Sequence, residues 1–133
     1  MKLTRASSYA LHAAAYMAGQ RKGSPTPSHL IAQKRGIPER FLLKVLKPLV
    51  SAGLLYSVKG PHGGYRLARP AADISMLDVL EAVDGPIRGN APMGHDDPRH
   101  PLNRKLAHIC DDAAEQTRKQ LGKVKLADLA VRD

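Results

Sequence analysis

Ten residues constrain this chain more than any others: Val58 to Leu67, read V-K-G-P-H-G-G-Y-R-L. Gly60, Pro61, Gly63 and Gly64 crowd turn formers into one short stretch, so the backbone is expected to reverse there. Tyr56 and Val58 before the turn, and Tyr65 and Leu67 after it, alternate with polar residues as paired strands do. Lys59 and Arg66 set a cation on either side. A short basic hairpin that follows a helical segment is the sequence form of a winged helix-turn-helix, whose wing grips nucleic acid beside a helix in the major groove. The expected architecture is mainly α with a small β-hairpin.

Charge points the same way. Residues 1 to 70 carry twelve Lys/Arg against one acid, Glu39, a net +11, whereas the remaining 63 carry nine against eleven, a net −2. A merely solvated surface would mix both signs, so the segregation suits a half that meets phosphate. One Cys in 133 residues rules out an internal disulfide framework and suits a reducing compartment, which makes the cytoplasm the expected location. Lys2 and Arg5 ahead of Ala10 to Ala18 resemble a secretion signal slightly, but His12 and two Tyr interrupt an already short run. No stretch approaches the roughly 18 consecutive apolar residues of a membrane span. An enzyme is not expected: H-E-x-x-H, a Walker sequence and a Ser elbow are all missing, and the Gly cluster sits in a hairpin instead of opening a helix.

Along the chain, Leu3, Ala6, Tyr9, Ala10, Ala13 and Met17 recur at helical spacing and predict an amphipathic helix from about Thr4 to Gly19. After a Lys/Gly/Ser/Pro-rich loop, Ser28 is expected to cap a short helix, Leu30 to Arg35, which stops at Gly36. Pro38 then opens a second helix. In that helix Phe41, Leu42, Val45, Leu46 and Leu49 make an inward stripe, with Arg40, Lys44 and Lys47 on the opposite face. Such a face is most often plain solvated surface; the preceding turn and following hairpin make it a candidate for DNA recognition. Pro38, Arg40, Phe41 and Lys44 are expected nearest the bases, Arg40 and Lys44 reading guanine or holding phosphate. Ser28, Lys47, His62 and Arg66 complete the candidate DNA contacts. Pro48 removes the donor for the carbonyl of Lys44, so a kink or early end is expected near Lys47.

Ser75 to Asp78 matches a capping box with Asp in place of Glu and starts a helix through Val83, ended by Asp84, Gly85 and Pro86. Residues 87 to 101 show no periodicity and read as a loop. From Leu102 a stripe of Leu106, Cys110, Ala113, Thr117 and Leu121 steps by four and three, a seam too long for a small domain to cover, which points to a homodimer. The expected organisation is a DNA-binding unit over 1–85, a loop over 86–101, and a dimerisation helix with its C-terminal segment over 102–133.

With these parts assembled, the chain resembles the Rrf-type family of bacterial winged-helix transcription regulators, which includes an iron-sulfur cluster regulator, a nitric-oxide-sensitive repressor and a cysteine-metabolism repressor. The matching stretches are M-K-L-T-R-A-S-S-Y-A-L, G-I-P-E-R-F-L-L-K-V-L, A-G-L-L, G-P-H-G-G-Y-R-L, V-L-E-A-V-D-G and K-L-A-D-L, together nearly the full length. The resemblance implies a homodimer with crossed long helices on a palindromic promoter site in double-stranded DNA, usually as a repressor. It also implies that Lys59 reaches into the minor groove.

The sensor is where the chain departs from that pattern. Cluster-binding relatives have three Cys in the loop before the long helix, because thiolates hold iron-sulfur clusters. Aligned without gaps, those positions fall on Pro92, Pro98 and Arg104, with a further ligand position on Ala107. No cofactor is expected. Cys110, on the seam, reads as a small buried hydrophobe, with a redox switch as the alternative. His95, Asp96, Asp97, His100 and His108 could bind Zn²⁺ or Fe²⁺, but their irregular spacing suits an exposed polar loop better. A small organic effector is a further option that leaves no mark in sequence, and an architectural nucleic-acid binder without sensing is the competing class.

Overall fold

A computed structural model of the chain describes residues 1–21, 24–92 and 97–132. In chain order it has helices α1 (Arg5–Ala18), α2 (Ser28–Arg35) and α3 (Glu39–Ser51), the hairpin β1 (Leu55–Val58) and β2 (Gly64–Leu67), and helices α4 (Met76–Asp84) and α5 (Pro101–Lys123). Short 3₁₀ turns stand at Ala71–Asp73 and Leu126–Leu129.

α1 starts where the Thr4 side chain accepts the amide of Ser7 at 3.0 Å, satisfying one of the free N–H groups of a helix start. Ala10, Ala13 and Ala14 are buried along it, and side chains this small let α3 and α4 approach closely. Leu42, Leu46 and Leu49 of α3, Val79 and Leu80 of α4, and Ile31 of α2 close the core around that alanine face. Leu3, expected on the inward stripe of α1, lies outside it and is exposed. Asp84 sits at the last residue of α4, where the helix dipole disfavours an anion. It is held instead at the start of α1, accepting from the hydroxyls of Thr4 at 3.0 Å and Ser7 at 2.6 Å.

Pro48 does not end α3. The helix runs on to Ser51, and the carbonyl of Pro48 accepts from Ala52 at 3.0 Å. The missing donor costs about 3 kcal/mol against Ala. Leu46 and Leu49, both fully buried on either side of it, contribute about 1.5–3 kcal/mol each only if the helix stays in register.

The C-terminal residues return to the N-terminal unit. Leu126 is fully buried and donates its amide to Ile74 at 2.7 Å, the amide of Met76 bonds Val124 at 2.8 Å, and Val131 bonds Ala15 at 3.0 Å. The last turn of α5 is thereby locked down, and Leu121, expected on the dimer seam, is buried in the chain's own core. Glu81 of α4 adds a polar tie, accepting from Arg118 of α5 and from the amide of Ile87 at 2.9 Å. The whole of α5 is about 34 Å long at 1.5 Å per residue, and all but its last turn stands largely uncovered. Among the described residues no helix is long and apolar enough to cross a membrane.

Candidate nucleic-acid interface

The turn between α2 and α3 depends on Gly36, whose φ of 66° is the left-handed conformation that costs a residue with a Cβ about 1–2 kcal/mol. Ile37 follows, buried, its amide bonded to Ala32 at 2.9 Å, and this anchor fixes where α3 starts. Pro38 precedes the first turn of α3 instead of lying in it; its carbonyl accepts from Phe41 and Leu42, both at 3.0 Å. Ser28 is not the cap expected for α2. Pro27 holds that place, its carbonyl accepting from Leu30 and Ile31, and the Ser28 hydroxyl is left to donate to Glu39 at 3.2 Å. That bond ties the start of α2 to the start of α3.

Arg40, Lys44 and Lys47 are exposed on one side of α3. Phe41 belongs with them, not with the inward stripe: it is 41% exposed, with the Arg40 guanidinium 5.1 Å and the Lys44 ammonium 5.7 Å from its ring centre. Two cations holding one ring restrict all three side chains before any partner arrives.

In the hairpin Leu55 pairs with Leu67, Tyr56 with Arg66, Ser57 with Tyr65 and Val58 with Gly64. The apolar face of β1 therefore runs through Leu55, not Tyr56. Leu55 is buried, whereas Tyr56 faces outward under the Arg66 guanidinium, 5.5 Å from its ring centre. An isolated antiparallel bridge extends the hairpin at one residue, for Thr26 and Tyr65 exchange backbone N–H···O hydrogen bonds at 2.9 Å. A Cβ on Gly64 would lie 2.3 Å from the Thr26 carbonyl oxygen, so only glycine lets the hairpin come this close. Lys59 and His62 are exposed at the hairpin tip. Between Pro27, Ser28 and His29 on one side and Lys59, Gly60 and Gly63 on the other lies an open cleft of about 540 Å³. Ser28 is thus the point where α2, α3 and the wing meet. Among the described residues Arg40, Lys44, Lys47, Lys59 and Arg66 form no ion pair.

The seam side chains Leu102, Leu106 and Ala113 are exposed on α5, while Cys110 and Thr117 are half-buried and Thr117 donates to the carbonyl of Ala113 at 2.9 Å. Sequence reasoning missed two exposed apolar residues. Ile109, 61% exposed, lies seven residues from Leu102 and three from Leu106, spacing that a heptad count could have found. Leu43, 45% exposed, is flanked by Arg40 and Lys47 one turn away on the same face of α3.

Among the described residues, those at the expected sensor do not fit iron or a cluster. Pro98, Arg104 and Ala107 line a shallow pocket with Asn103, His108 and Asp111, and none of these is a thiolate. Cys110 is a single thiol. His100 caps α5, its Nδ1 accepting from the amide of Leu102 at 3.2 Å, and His108 lies eight residues on, about 12 Å along the helix, too far to share an ion. Asp97 is taken up by Arg99, and His95 and Asp96 lie outside the described residues. Among the described residues no group of three or more His, Cys, Asp or Glu side chains could hold a metal.

Comparison with known proteins places this architecture. A family described as "Rrf2: Iron-dependent Transcriptional regulator" matches residues 3–132. Protein rrf2 of Nitratidesulfovibrio vulgaris is 34% identical over 134 residues, covering 97% of this chain and 87% of that one. The HTH-type transcriptional regulator IscR of Vibrio atlanticus is 42% identical over 84 residues, 63% of this chain and 49% of the relative. The structure of CymR, the global cysteine regulator of B. subtilis, superimposes with a TM-score of 0.78 at 26% identity, covering 98% of this chain and 96% of that one. With a winged helix-turn-helix fold and a match over almost its whole length, this chain belongs to the Rrf2 family of transcription regulators, not to a family of enzymes.

Proposed function

We propose that the protein is a sequence-specific DNA-binding repressor that acts in the cytoplasm as a homodimer on a palindromic operator, without a cysteine-ligated iron-sulfur cluster. The observation that carries this reading is the junction at Ser28, which joins the start of α3 and the wing into one surface bearing Arg40, Lys44 and Lys59 and no ion pair among the described residues. On that surface α3 enters the major groove, with Arg40 and Lys44 toward base edges. Lys59 reaches the adjacent minor groove. Pro38 and Phe41 pack close to the bases, while Ser28, Lys47, His62 and Arg66 contact the backbone.

Two copies are needed because one α3 reads only half a site. The uncovered stripe of Leu102, Leu106, Ile109 and Ala113 supplies the pairing surface, with Cys110 and Thr117 at its edge. A two-fold dimer sets its reading helices on half-sites about 34 Å apart, one helical turn of DNA. Titrating the protein against the palindrome upstream of its own gene and against random duplex of equal length tests the reading. The palindrome should bind at least about a thousandfold tighter at physiological salt. A ratio near one would leave an architectural binder in its place.

A further inference from the structure

The outer face of α3 carries, besides its three cations, an exposed apolar side chain that neither the fold nor the contacts already described employ. Leu43 is the fifth residue of the helix and 45% exposed. Its neighbours one turn away are Arg40 and Lys47. Phe41 is exposed to a similar degree, but its ring is occupied by Arg40 and Lys44. Leu43 has no such engagement.

We propose that Leu43 is a specificity-determining residue that reads the 5-methyl group of thymine in the major groove. The inference rests on the DNA-binding reading above and deepens it. The cations on either side select a polyanion as the occupant of this face, since an apolar protein surface pressed here would strip water from Arg40 and Lys47 without pairing them. Only one Glu stands among the first 70 residues against twelve Lys/Arg, so nothing in this half of the chain offsets that selection. Of the groups a duplex displays in its major groove, the thymine methyl is the apolar one; the others are hydrogen-bond donors or acceptors that a leucine cannot engage. Leu43 also lies in the N-terminal part of α3, the part such helices insert. Its contribution is desolvation of one methyl against another carbon surface, about fourfold in affinity for each methyl buried. Arg40 and Lys44 supply attraction and polar readout; Leu43 adds the choice of thymine where polar contacts are silent.

The experiment selects binding sites for the full chain from a random duplex library, then measures affinity for the selected site with deoxyuridine replacing thymidine at each position in turn, which deletes only the methyl. With wild type, at least one substitution per half-site should weaken binding about fourfold. In Leu43→Ala the same substitution should have no effect, while affinity for random duplex and its salt dependence stay unchanged. Leu43→Met keeps an apolar reach and should keep the uridine sensitivity. Circular dichroism checks the fold of both variants, whose changed side chain is exposed. If uridine weakens wild type and Leu43→Ala equally, or weakens neither, the assignment of Leu43 is overturned while the DNA-binding reading stands. If the library yields no enriched site, both fall. If Leu43→Ala leaves every DNA measurement as in wild type, a protein partner becomes the occupant of this face and the proposal is wrong.

Discussion

α3 and α5 are both amphipathic helices with an uncovered face, and they differ in what that face carries. α3 buries Leu42, Val45, Leu46 and Leu49 and turns Arg40, Lys44 and Lys47 outward. α5, nearly twice as long, buries Leu121 alone and turns Leu102, Leu106 and Ile109 outward. An exposed charge is content in water and needs no partner to be stable, whereas an exposed row of branched aliphatics is a standing free-energy cost that association removes. The cationic face therefore speaks of a reversible partner met through phosphate. On the proposed reading, the apolar face meets a second copy held for the life of the protein.

The contrast breaks most easily at α5. Leu106→Asp would put a carboxylate into the pairing surface, a cost of several kcal/mol. Sedimentation should then show monomers, and operator affinity should drop by more than tenfold because each half-site is bound alone. Dimers that persist would mean that the stripe is covered by something other than a second copy.

A smaller effect is expected on the cationic side. Lys44→Ala or Lys59→Ala should weaken operator binding by about 1–3 kcal/mol. If Lys59 touches only phosphate, the slope of log affinity against log salt should also fall by about one while site preference persists. Unchanged affinity for both variants at low and moderate salt removes the docking mode.

Smaller still is the effect of the tie that holds α5 to α4. Glu81→Gln keeps a side-chain acceptor for the amide of Ile87 but loses the charge that faces Arg118. The two side chains are 23% and 36% exposed, so solvent screening holds the loss to about 1 kcal/mol or less, seen as a slightly lower melting temperature. Operator affinity should not move with it. The smallest expected effect is none: a chelator should leave operator binding as it was, since among the described residues the donors at the sensor position do not suit iron. Loss of binding on chelation would show that ligands outside the described residues complete a site.

How much of this was legible in the sequence follows from how local each signal is. Gly36 and the α2–α3 turn, the Ser75–Asp78 capping box and the stretch of turn formers before β2 are settled within four or five residues, and the structure has them as expected. The phase of β1 was not legible. Tyr56 and Leu55 are both apolar, and the choice between them belongs to Leu67 across the hairpin. Ser28 was misassigned for a similar reason: a serine next to a helix start can cap it or lie in its first turn, and the bond to Glu39, eleven residues away, goes with the second. Pro48 misled because its local cost is plain in the sequence while the burial of Leu46 and Leu49 that outweighs it is not.

The amino-acid order by itself determined the helix-turn-helix with its basic wing, the segregation of charge and the lack of cysteine ligands, because propensity, turn chemistry and net charge are properties of neighbouring residues. Tertiary structure alone decided that the C-terminal residues fold back on α1, that Leu121 belongs to the core, that Ser28 joins helix to wing, and that Leu43 is left facing outward. Each of these depends on which surfaces meet across 10 to 120 residues of chain, and burial is a property of that meeting, not of any one segment.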